Sequence, residues 1–325
     1  MIYPWQELIW KRLEAQSERL HHALLIHGPV GIGKLALAEQ FAQLLLCESI
    51  QGTTKPCGAC DGCRWYLAGT HPDFRRLEPE SLARRAAVDE EGETPAPGTS
   101  RAAKPSQEIK VDQVRGLDNF LSLRSHRGRR RIVLVHPAEA MNLNAANALL
   151  KALEEPQPGA HFILVSHRPA RLLPTIRSRC AAVPMAVPDR EQALAWLSEQ
   201  GVGDAGAWLA FSGGAPLQSR TLASEPAGAV AGMRRALAGM DFDALQAAGN
   251  REELEALAEV LQKRAIDTAM RSLAGAQRYG LGGTSRRAAD WLRYAREMGR
   301  FRALARAPLN PGLMAGEMLS KMPKD

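Results

Sequence analysis

The chain has 325 residues, 45% of them hydrophobic and 24% charged, a composition that suits a folded globular protein with room for two or three domains. No apolar run reaches the roughly 18 residues a membrane span needs. The start, Met1 to Glu7, lacks a basic segment followed by an apolar one, so a cytoplasmic, unanchored protein is expected. A formal net charge of +7 admits a polyanionic partner such as nucleic acid, and equally a basic surface that serves solubility.

Ala23-Leu24-Leu25-Ile26-His27 reads as a short buried strand. It runs into Gly28-Pro29-Val30-Gly31-Ile32-Gly33-Lys34-Leu35, which has the G-x4-G-K spacing of a phosphate loop. Gly28, Gly31 and Gly33 let backbone N–H groups surround a phosphate, and Lys34 can reach the outer oxygens. The next position normally carries a hydroxyl for Mg²⁺, and here it is Leu35. ATP or ADP binding and a relic loop kept for its shape both fit. Helical spacing of Leu37, Phe41, Leu44 and Leu45 predicts a helix from Lys34 to Cys47.

Five cysteines occur, and four of them cluster. Cys57, Cys60 and Cys63 are three positions apart, with two residues between each, and Cys47 lies ten positions upstream. Clustering in a cytosolic chain favours metal over disulfides, and four thiolates suit tetrahedral Zn²⁺ in a closed, structural site. An iron–sulfur centre and free thiols are the alternatives. Residues 79–107 lack apolar periodicity and read as a long surface loop.

Arg124 to Arg131 holds five arginines in eight residues, either a phosphate-contacting patch or a solvated turn. Residues 260–306 carry eleven Lys and Arg against three Asp and Glu, with the same two readings. The apolar strand Arg131–Val135 is where an Asp-Glu pair would hold Mg²⁺ and polarise water, yet His136-Pro137 follows it. Glu139 is a weak substitute. Asn142 caps a predicted helix whose apolar face is Leu143, Ala146, Leu149, Leu150 and Leu153, ending at Glu155 before Pro156. A third strand, His161–Val165, precedes Thr175-Ile176-Arg177-Ser178-Arg179-Cys180. Beyond Pro188 the strands stop. The expected architecture is an α/β P-loop domain with a parallel sheet at 1–185, a small helical domain at 186–224 and an all-α domain at 225–325.

Several segments together resemble the clamp-loader branch of the AAA+ proteins, and within it the bacterial delta-prime subunits. They are the Cys57-x2-Cys60-x2-Cys63 triplet, Gly69-Thr70-His71-Pro72-Asp73, Asn147-Ala148-Leu149-Leu150-Lys151-Ala152-Leu153-Glu154-Glu155-Pro156 and Ser178-Arg179-Cys180. The resemblance covers about residues 20–220 and implies an AAA+ domain, a helical lid and a C-terminal collar. It implies that Arg179 is an arginine finger for the ATP site of a neighbouring subunit and that Cys180 belongs to that motif. Where active members carry a lid arginine, this chain has Gly213-Gly214-Ala215-Pro216. The implied partners in a hetero-oligomer are gamma/tau-type motor subunits, a delta subunit, the sliding clamp and primed DNA. The lost hydroxyl and acids point to a subunit without hydrolysis of its own, within a DNA polymerase holoenzyme. The alternative is an active motor subunit, which Leu35, His136 and Pro137 oppose.

Overall fold

The structure, a computed structural model, describes residues 2–49, 56–83, 105–122, 130–225, 228–283, 285–304 and 310–323. The chain divides into two units, Met1–Val187 and Pro188–Asp325.

The first unit is built on a five-stranded sheet. Its strands are β1 (Ala23–His27), β2 (Phe74–Leu77), β3 (Arg131–Val135), β4 (Ala160–Ser166) and β5 (Ala181–Pro184). They lie in the order β2-β3-β4-β1-β5, and every pairing is parallel. The three strands expected from the sequence are the central ones. Their continuous apolar runs leave β3 buried throughout, as a strand covered on both faces must be. Leu25 lies opposite Leu164, and Val133 opposite Phe162, so both registers place large apolar side chains side by side. Two further strands, β2 and β5, flank them at the edges.

Helix Lys34–Leu46 buries Leu37, Phe41, Leu44 and Leu45 as its spacing predicts. Each such side chain contributes roughly 1.5 to 3 kcal/mol through burial. Helix Leu143–Glu154 starts where Asn142 accepts the Ala145 N–H at 2.9 Å. Its buried face is Ala145, Ala146, Leu149 and Leu153, one step round from the expected stripe. Leu143 is exposed and Leu150 only half-buried, so the buried stripe runs through positions 145, 146, 149 and 153.

Most of the loop expected at 79–107 lies outside the described residues. Its described ends are joined: Ser81 N–H donates to the Ser106 carbonyl at 3.1 Å, and Ser106 N–H to Glu80 Oε2 at 3.2 Å. The basic run is also only partly described. Its last member, Arg131, is buried and donates to the carbonyls of Phe120 and Pro158, at 3.1 Å each, and to that of Leu121. That side chain closes the end of helix Leu117–Ser122 and does not meet an external phosphate.

In the second unit the described residues form helices and no strand. Helix Arg251–Ala274 is its axis, capped by Asn250 at one end and by Gly275 at φ 67° at the other. Phe211, Met233, Leu257, Trp291, Met298 and Met318 share one apolar cluster around it. Asp267, fully buried, accepts N–H groups from Arg278, Tyr279 and Leu281 at 2.8 to 3.1 Å and so anchors the following loop.

Candidate functional site

The phosphate loop leaves β1 at His27 and enters helix Lys34–Leu46, with Gly28, Gly31 and Gly33 all at positive φ. The N-terminal residues lie on it. Gln6, fully buried, donates from Nε2 to the carbonyls of Ile32 at 3.1 Å and Gly33 at 2.9 Å. Trp5 Nε1 donates to the Ile32 carbonyl at 3.0 Å. A Cβ on Gly33 would lie 2.6 Å from the Gln6 amide and the Tyr3 ring, so only glycine fits there. Neither Trp5 nor Gln6 is singled out by any local pattern. With two loop carbonyls held outward by these donors, the loop's shape is fixed by a distant segment.

Lys34 is buried and donates to the Pro29 carbonyl. Burial pulls its ammonium down to about 8, against the nearby Glu139 carboxylate. Leu35 follows it without a hydroxyl.

The space beyond β3 holds imidazoles where a hydrolysing site would carry acids. His136 and His167 stand edge to face with ring centroids 5.3 Å apart. Burial, and then the His167 ring, push His136 down to about 4, and burial, with Lys34, also lowers His167. Glu139 Oε1 accepts the His167 N–H at 2.9 Å. Glu139 Oε2 and the Nδ1 atoms of His136 and His167 are buried without a hydrogen-bond partner among the described residues.

The cysteines sit at the other end of the same helix. Thirteen residues make it about 20 Å long, so the loop and the thiols are separate sites. Cys47 follows its last turn, and Cys60 caps helix Asp61–Leu67 by accepting the Cys63 N–H at 3.4 Å. The four sulfurs of Cys47, Cys57, Cys60 and Cys63 all lie within 4.8 Å of one another. Cys57 to Cys63 is 3.9 Å and Cys60 to Cys47 is 4.0 Å. A tetrahedron with metal–sulfur bonds of about 2.3 Å has edges of about 3.8 Å. Backbone N–H groups point at the sulfurs: Glu48 to Cys60, Cys60 to Cys57 and Cys57 to Cys47, at 3.4 to 3.5 Å. Donors from Cys60 and Ala59 bring the Cys57 thiol down to about 6, while burial pushes Cys63 up. The donor set fits a metal ion, which would hold all four as thiolates.

Arg179 ends the short helix Pro174–Ser178, which Ile176 anchors in the core. Its Nη2 lies 2.7 Å from Glu154 Oε1, and its Nη1 donates to the Thr175 carbonyl at 3.0 Å. Burial raises the Cys180 thiol to about 11, and the side chain packs against the apolar core of the first unit. At Gly213–Pro216 the chain turns into helix Pro216–Ser224, whose one arginine, Arg220, lies over the Trp196 ring at 5.6 Å.

No helix among the described residues is long and apolar enough to cross a membrane. The family model described as DNA polymerase III, delta subunit, matches residues 5–189. The chain is 43% identical over 226 residues to the DNA polymerase III subunit delta' of Pseudomonas aeruginosa, covering 68% of this chain and 61% of that protein. It is 38% identical over 200 residues to the Escherichia coli delta' subunit, covering 61% of this chain and 53% of that protein. The chain thus spans between half and two thirds of the length of these relatives. A Thermotoga maritima protein related to the DNA polymerase III gamma subunit superposes with a TM-score of 0.50 at 19% identity, covering 96% of this chain and 97% of that one. That likeness shows the fold, a parallel-sheet domain followed by helices, as the sequence leads one to expect. With the family model spanning more than half of its residues, and with relatives of that name on both counts, the chain belongs to the DNA polymerase III delta-prime family.

Proposed function

We propose that this chain is a clamp-loader subunit that hydrolyses no ATP itself and completes the ATP site of a neighbouring motor subunit. The observation that carries this reading is the end of β3. Lys34 is kept, but the strand beside it runs into His136-Pro137, and Glu139 is turned to the His167 amide. Mg²⁺ between β- and γ-phosphates needs a hydroxyl and an acid. Leu35 and Pro137 supply neither. Nucleotide held by Gly28, Gly31, Gly33 and Lys34 would therefore remain unhydrolysed.

Arg179 supplies what this chain's own site does not use. Negative charge develops on the transferred phosphoryl group, and a guanidinium from outside the site stabilises it through a planar, permanently charged fork. The four cysteines hold Zn²⁺ in a closed set, which fixes the insert and leaves no open position for a substrate. In the assembly, 186–224 serves as lid and 225–325 as collar. The motor and delta subunits, the sliding clamp and primed DNA in the cytoplasm are the partners.

The test is reconstitution with gamma/tau-type motor subunits, delta and clamp. Arg179→Ala should assemble normally, lower DNA-stimulated ATPase by about the share of one site, and impair clamp loading more. Wild-type rates in both assays, with assembly intact, would refute the trans-acting role.

A further inference from the structure

Glu154 is the last residue of helix Leu143–Glu154, and Glu155 caps it. Carboxylates at that end face the negative pole of the helix dipole, where cations are favoured. Two acids there run against local physics, and such departures concentrate at functional positions. Arg179 offsets one of them, with Nη2 at 2.7 Å from Glu154 Oε1.

That contact does more than neutralise a charge. The guanidinium carries five N–H donors in one plane. Glu154 Oε1 forms an ion pair with Nη2 at 2.7 Å, and Nη1 donates to the Thr175 carbonyl at 3.0 Å and reaches Ser178 Oγ at 3.5 Å. Two contacts on different nitrogens fix the plane, as one could not. Among the described residues no acceptor takes the Nε–H, and the side chain stays 35% exposed. The fork is thus held from one side and open on another. As an exposed ion pair it adds little stability, so a purely structural role is a poor account of it.

We propose that Glu154 is a positioning residue for Arg179: its carboxylate presets the guanidinium plane so that the open donors meet the neighbouring subunit's phosphate without a search over rotamers. This rests on the trans-acting reading of Arg179. A residue that works through Arg179 should act on turnover and leave ATP affinity alone.

The experiment compares Glu154→Ala, Glu154→Gln, Arg179→Ala and the Glu154→Ala/Arg179→Ala double variant in the reconstituted complex, with ATPase measured across ATP concentrations. Glu154→Ala should lower kcat of the affected site on the order of fivefold with KM unchanged, the effect of a misplaced charge-assisted donor. Glu154→Gln keeps an acceptor oxygen and should recover most of the loss. The double variant should match Arg179→Ala alone. If Arg179→Ala is defective while Glu154→Ala is not, the positioning role is wrong and the finger stands. Losses that multiply in the double variant, or a raised KM, also overturn it. If Arg179→Ala itself behaves as wild type, the finger reading fails and the role of Glu154 falls with it.

Discussion

The Gln6 amide donates to the Gly33 carbonyl at 2.9 Å, joining the start of the chain to the last residue of the phosphate loop. The same amide reaches Ile32, so one side chain satisfies two carbonyls at a buried position. Gln6→Ala removes one donor from each carbonyl, leaving Ile32 to Trp5 and Gly33 to the Leu37 N–H, and strips a fully buried side chain from against the loop. It should cost about 2 to 3 kcal/mol in denaturant unfolding. Gln6→Glu should be at least as harmful, since a carboxylate would face two carbonyls. An unchanged midpoint for both variants would mean that the N-terminal segment does not hold the loop.

Zinc should co-purify at one ion per chain, as read by elemental analysis. Cys60→Ser removes a metal ligand while leaving a hydroxyl that can still cap helix Asp61–Leu67. It should release the metal and lower stability on the order of 3 kcal/mol. Four freely titrating thiols in metal-free native protein would contradict the assignment.

The purified subunit should show no ATPase above background. Leu35→Ser should not create one, because the strand end at His136-Pro137 still lacks an acid. Turnover in the wild-type protein that vanishes in Lys34→Ala would overturn this.

Acid should weaken the first unit through His136. Its folded value of about 4 lies below the ordinary 6.5, so between those two pH values the unfolded chain binds a proton that the folded chain does not. Stability contributed by the neutral ring is therefore present above pH 6.5 and lost as pH falls towards 4. The loss should be on the order of 2 kcal/mol, and His136→Phe should flatten that part of the stability–pH curve. Chemical denaturation at several pH values measures it. An identical slope in the variant would show that other groups carry the acid response.

Arg131→Met should be among the most damaging single changes in the sheet domain. It strands the carbonyls of Phe120, Leu121 and Pro158 in a buried place. A loss of about 3 kcal/mol is expected from thermal or denaturant unfolding. A near-neutral result would mean that water replaces the guanidinium.

The sequence displays what repeats locally and conceals what is closed from afar. β1, β3 and β4 are legible because a strand buried on both faces must be apolar at every position. β2, with Arg75 and Arg76 exposed at its centre, and β5, Ala-Ala-Val-Pro, are edge strands without such a run. The cysteine spacing is legible because metal geometry constrains short intervals. Gln6 on Gly33, Arg131 on Pro158 and Glu154 on Arg179 pair residues 27, 27 and 25 positions apart. Nothing in the local pattern marks them. Arg131 shows the hazard most clearly, since a run of arginines invites an electrostatic reading while its last member is a buried helix-end cap.

The N-terminal segment also constrains how this protein can be handled. Tyr3, Trp5 and Gln6 lie against the loop, so an affinity tag or fluorophore joined just ahead of Tyr3 would emerge beside the place where nucleotide binding is to be judged. A histidine tag there would bring extra imidazoles next to Lys34 and compete for zinc with the cysteines. Labels at an exposed site such as Leu67, or removal of the tag by a protease, keep the measurement about the protein itself.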